Sequence, residues 1–110
     1  MRCKTIVLPT RTISDWTTFH TMCKSLFGFP DFYGSNMDAW IDCMSYLRSE
    51  SHMTSIELAD DEILLIVIPD AEAFAKKLPE IARGLEDCIA FVNQRCMGIN
   101  EAPSIAIVPA

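Results

Sequence analysis

The sequence has no long apolar run: the longest, residues 63–68, has six residues, far short of the ~20 that a bilayer-spanning helix needs. The apolar stretch near the start, residues 6–8, stops at Pro9, so no secretory signal is expected and a cytoplasmic location is. Positive charge is scarce as well. Nine Lys+Arg face fifteen Asp+Glu, for a net charge of −6. That balance disfavours nucleic acid or an anionic membrane as a direct partner, and it favours a basic protein. The five cysteines, Cys3, Cys23, Cys43, Cys88 and Cys96, are odd in number and widely spaced, with no CxxC or Cys/His cluster. A zinc site and a disulfide framework are therefore not expected; reduced, buried thiols are. His20 and His52 stand outside any HxxxH or HExxH pattern and read as surface or half-buried residues. There is no GxSxG, P-loop or GxGxxG, and no cysteine with a base placed by a local motif. Nothing looks catalytic, and neither a cofactor nor a metal is expected.

What the chain does have is the material of one small core. Its 110 residues are half hydrophobic and 22% charged, which predicts a globular single domain over 1–110. Residues 5–8 read as a first strand. Ser14 is placed to cap a helix carrying Trp16, Phe19, Met22, Cys23 and Leu26 at helical spacing, with Gly28 at its exit. Residues 29–30 break that pattern and residues 33–35 are turn chemistry. Asn36 then suits the cap of a second helix, expected to run to about Arg48. Residues 49–62 read as a polar connection, and residues 63–68 as a strand buried on both faces. A short helix over 70–78 follows, and Pro79 opens another that carries Ile81, Leu85, Cys88, Ile89 and Val92 and ends near Gly98. Residues 105–108 are the last strand. This alternation predicts an α/β fold: a small parallel sheet with covering helices.

Charge is unevenly distributed along this frame. Residues 1–28 sum to +3, residues 29–62 to −7 and residues 63–110 to −2. The middle third therefore holds more than the whole net charge, and a localised acidic field attracts a basic surface. On the second helix Met37, Trp40, Met44 and Leu47 form one stripe, which places Asp38, Asp42 and Ser45 on the opposite, solvent side. Asp38 and Asp42 are one turn apart, where like charges destabilise a helix by about 0.2–0.5 kcal/mol. No Lys or Arg stands three or four residues from either. The helix dipole accounts for Asp38, in the first turn, whereas Asp42 is left uncompensated. Three readings follow: an ordinary solvated face, a carboxylate pair for a basic protein pocket, or, with Asp31 as a third ligand, a site for a hard cation.

Residues 29–44, FPDFYGSNMDAWIDCM, resemble the central segment of the barstar family, intracellular inhibitors of the secreted ribonuclease barnase. The shared pattern is Pro30, Asp31, Phe32, Tyr33, Gly34, Asn36, Met37, Asp38 and Asp42. Residues 13–15 and the last strand extend it less specifically. The resemblance implies a barstar-like single domain, a three-stranded parallel sheet packed with helices, and an inhibitor that plugs the active site of a basic ribonuclease or nuclease toxin. It implies that Asp42 takes the place of an RNA phosphate, that Asp38 supports it, and that Asp31, Phe32, Tyr33, Gly34, Ser45 and Tyr46 surround them. Tyr33 has the alternative of packing inward, and Gly34 of serving backbone conformation rather than close approach. The rim departs from the family: Phe32 stands for a tyrosine, Ile41 and Leu47 for tryptophans, and Tyr46 for a glycine. Residues 93–95 lack the acids that the family carries on its later helix. These changes imply a target other than barnase itself. The competing functions are a metal-dependent phosphohydrolase using Asp31, Asp38 and Asp42, and a regulatory module for a basic protein that is not a nuclease.

Overall fold

Strands alternate with helix pairs in the computed structural model, which describes residues 1–50 and 52–110. The order is β1 (Arg2–Val7), a 3-10 turn (Thr10–Thr12), α1 (Trp16–Phe27), α2 (Met37–Met44), β2 (Glu62–Ile68), α3 (Ala71–Lys77), α4 (Pro79–Gly98) and β3 (Ile105–Pro109). The three strands form one parallel sheet with β2 in the middle, as the α/β expectation required. Parallel neighbours cannot be joined by a tight turn, so each helix pair is a crossover. Ser51, inside the polar connection expected over 49–62, lies outside the described residues.

The sheet is covered more fully on one side than the other. Leu64, Ile66 and Ile68 are buried, whereas Ile63, Leu65 and Val67 are only half-buried. Ile63 and Val67 pair in register with Cys3 and Val7 of β1, both of which are exposed. Burial of β2 on both faces is therefore corrected to one buried and one half-covered face. Crossovers of a single hand in a sheet of sequential order put all the helices on the same side.

Local chemistry sets the helix ends. The cap of α1 is Asp15 and not Ser14. The Asp15 carboxylate accepts from the Thr18 amide at 2.8 Å, and the Thr18 hydroxyl accepts from the Asp15 amide at 3.1 Å, a reciprocal capping box. Gly28 ends α1 with φ 67°, and a Cβ there would lie 2.6 Å from Ser55 Oγ, so only glycine fits. Gly84 serves closeness instead: a Cβ there would meet the Trp16 ring at 2.9 Å, so its absence leaves room for that ring beside α4.

An aromatic chain fixes the loop between α1 and α2. Phe27 stacks on Phe29 at 5.6 Å, Phe29 meets Tyr33 at 4.6 Å, and Phe27 meets the edge of Trp40 at 6.3 Å. Trp40 is wholly buried; a cavity of its size costs about 3–5 kcal/mol.

The second helix is shorter than its periodicity suggests. It stops at Met44, and residues 45–48 continue as turns. Leu47 drops into the core, and Arg48, its side chain 5% exposed, reaches the main-chain carbonyls of Ala102 (2.5 Å), Glu62 (2.8 Å) and Pro103 (3.1 Å). One guanidinium thus ties the end of the α2 segment to the starts of β2 and β3. At the other end of the chain Gly98 is the last residue of α4 rather than its stop; Asn100 takes the left-handed conformation, with φ 62°.

Candidate functional site

The acidic face begins with the cap of α2. Asn36 Oδ1 accepts from the Ala39 amide at 2.8 Å, which fixes the direction of the first turn. Met37 is half-buried and Trp40, Met44 and Leu47 are buried, whereas Asp38 and Asp42 are exposed. The stripe and its opposite face are as the spacing requires. Ser45 follows at the helix end, its hydroxyl donating to the Ile41 carbonyl at 2.6 Å. Beside them Tyr46 is 45% exposed and Phe32 77% exposed. Asp31 is also exposed, and Lys24 reaches only its carbonyl, at 3.5 Å.

Two of the expected surface residues behave differently. Tyr33 packs inward, 7% exposed, with its hydroxyl 2.6 Å from His20 Nδ1. His20 is buried as well, which corrects its reading as a surface or half-buried residue: Tyr33 supplies the partner that a buried imidazole needs. Burial pushes the Tyr33 phenol up and holds the His20 ring below its ordinary value. The contact therefore works with a hydroxyl donor and a neutral ring. Gly34 is exposed but has no left-handed backbone. The residue that does is Ser35, with φ 55°, while a Cβ on Gly34 would press on the Asn36 amide at 3.2 Å.

The carboxylate read as uncompensated has a partner after all. Arg95, on the last turn of α4, donates from Nη1 to Asp42 Oδ1 at 3.1 Å and to Ser45 Oγ at 3.3 Å. Its guanidinium lies 5.2 Å from the ring centre of Phe91, a cation–π distance. Asp38 forms no ion pair among the described residues. Sequence reasoning missed Phe91 and Arg95 as members of this face. The available signal was their four-residue spacing on the side of α4 away from Ile81, Leu85, Ile89 and Val92.

The face is convex. A groove of about 400 Å³, lined by Trp16, His20, Asn36 and Met37 among others, lies beside the start of α2, and neither Asp38 nor Asp42 lines it. Asp31, Asp38 and Asp42 do not converge: no group of three or more His, Cys, Asp or Glu among the described residues is arranged to hold a metal ion. All five cysteines are free, burial pushes Cys23 up to about 12, and it raises Cys43 and Cys88 as well. Cys3 alone is fully exposed, against the expectation that all would be buried. A protruding pair of helix-borne carboxylates can enter another protein's cleft, where a cationic site would meet it with charge-assisted hydrogen bonds.

A family model described as Barstar (barnase inhibitor) matches residues 3–107. The chain belongs to the barstar family. Barstar-family proteins are inhibitors and not enzymes, and this chain is a barnase-inhibitor-like protein with the parallel three-stranded sheet expected of it. The family description names a ribonuclease, barnase, as what a barstar inhibits. No curated protein matches it. Among the described residues no helix of this barstar is long and apolar enough to cross a membrane.

Proposed function

We propose that this chain is an immunity protein that occludes the active site of a basic ribonuclease toxin from the cytoplasmic side of its producer. The observation that carries the reading is the display of Asp38 and Asp42, exposed on a helix whose other side is locked into the core. In this reading Asp42 mimics an RNA phosphate among the enzyme's cations and Asp38 adds to the field. A ribonuclease site is preorganised for anionic oxygens, so a fixed carboxylate supplies what it already binds. Asp31, Phe32, Gly34, Ser45 and Tyr46 form the rim, and Tyr33 shapes the loop from within through His20.

The acidic field is stronger at the surface than the arithmetic of the sequence implies. The one base among residues 29–62, Arg48, is turned inside, so the stretch itself exposes seven acids and no cation of its own.

A pull-down from the source cell's total and secreted protein tests the reading, with the wild type and Asp38→Ala/Asp42→Ala as baits. A basic ribonuclease enriched on the wild type alone supports it. A basic non-nuclease captured in the same way moves the assignment to regulation. Equal capture by both baits returns the two aspartates to a solvated face.

A further inference from the structure

In the free protein Asp42 is already engaged, and the manner of its engagement is informative. Arg95 uses a single nitrogen, Nη1, for both Asp42 Oδ1 and Ser45 Oγ. The paired fork that makes arginine–carboxylate contacts strong is therefore not formed. The side chains are 46% and 61% exposed, so water screens the pair. Phe91 gives the guanidinium a shelf to rest on at 5.2 Å. The second carboxylate oxygen of Asp42 has no partner among the described residues. The end of α4 favours a cation through its dipole, which accounts for an arginine at position 95. It does not account for a side chain that crosses to α2.

We propose that Arg95 is a guard on Asp42. It occupies the place that a partner's guanidinium would take, and it sets a positive charge in front of any cationic pocket that approaches α2. This inference rests on the reading of α2 as the inhibitory face. Binding is then an exchange: the partner's arginine, meeting Asp42 through two nitrogens in a site closed to water, displaces a one-nitrogen, solvated rival. A surface offering only lysines gains no fork and meets the Arg95 charge unrelieved. Arg95 thus acts as a specificity determinant by repulsion, admitting partners with a preorganised arginine and turning away surfaces that are merely basic.

The test is inhibition of RNA cleavage by the ribonuclease that the pull-down captures, by the wild type, Arg95→Ala, Asp42→Ala and the double variant. Arg11→Ala, on the 3-10 turn, controls for simple loss of a positive charge. Removing the guard is expected to lower the half-inhibitory concentration about fivefold, the most that a screened surface pair holds back. Arg11→Ala should move it by less than about twofold, because a distant charge is screened by salt. The gain from Arg95→Ala should vanish in the Asp42→Ala background.

A loss or no change with Arg95→Ala overturns the guard, as does an equal gain in both backgrounds. Inhibition by neither protein also overturns it, because removing the guard then uncovers nothing. The pull-down described above judges the α2 reading separately. Arg95→Gln keeps the bulk over Phe91, and a melting curve for each variant confirms that it is folded. A purely structural tie between α2 and α4 would instead lower the melting temperature of Arg95→Ala and leave inhibition no better than that of the wild type.

Discussion

Two acidic regions of this chain are treated in opposite ways. At the start of β2, residues 57–62 hold four acids, and the first strand reaches two of these residues. Arg2 grips Asp61 with two nitrogens at 2.9 and 2.8 Å, and Lys4 donates to the Glu57 carbonyl. Glu62 turns inward along the chain to accept from the Ala59 amide at 2.7 Å. On α2, by contrast, Asp38 has no ion pair among the described residues, and Asp42 has one single-nitrogen contact from a helix 53 residues away. In the first group the Asp61 carboxylate is held by a two-nitrogen fork from the neighbouring strand, and this contact serves the fold. The second is left under-matched on a rigid element, the condition in which a charge is available to a partner.

Four measurements would break or sharpen that contrast. The largest effect is expected from Asp42→Ala on partner binding. Breaking a charge pair buried at an interface costs about 3–5 kcal/mol, whereas the thermal stability of the free protein should hardly move. Asp61→Ala should leave binding intact, and a titration of both variants against the captured partner checks the pair. Next comes Arg48→Met, which removes the cation from carbonyls at three places in the chain. It should lower stability in urea by about 2–4 kcal/mol, without weakening binding per folded molecule.

Asn36→Ala deletes the cap that aims α2 and should cost about 1 kcal/mol in the same urea titration. The smallest effect belongs to the Arg2–Asp61 contact and appears only in acid. The hydrogen bonds from Arg2, with its charge, hold the Asp61 carboxyl below the usual aspartate range. Its contribution is therefore complete above the ordinary value of about 4 and is lost as pH falls through the folded value. Melting curves from neutral pH downward should fall less steeply for Asp61→Asn than for the wild type.

Much of the architecture was legible because it is written in local periodicity. The stripe of Met37, Trp40, Met44 and Leu47 oriented α2 correctly, and the run at 63–68 located the central strand. What failed depended on residues far away. No local breaker ends α2 at Met44; Leu47 and Arg48 leave the helix because the core and the carbonyls near β3 claim them. The burial of His20 is hidden from local pattern because its partner, Tyr33, comes thirteen residues later across a turn. The partner of Asp42 is invisible to i,i+4 arithmetic, which stops at the end of its own helix, and Arg95 lies on another. The cap of α1 moved by one residue for a smaller reason: Thr18 can reciprocate with Asp15 and so completes a two-way bond.

The Arg48 clamp has a bearing on how such a chain can vary. Its three hydrogen-bond acceptors are main-chain oxygens, and every residue type carries one. The clamp therefore reads the path of the backbone and is indifferent to the side chains at 102 and 103. Those positions can accept mutations while the junction that supports α2 stays in place. A single inward arginine thus separates the information that builds the scaffold from the information that chooses a target.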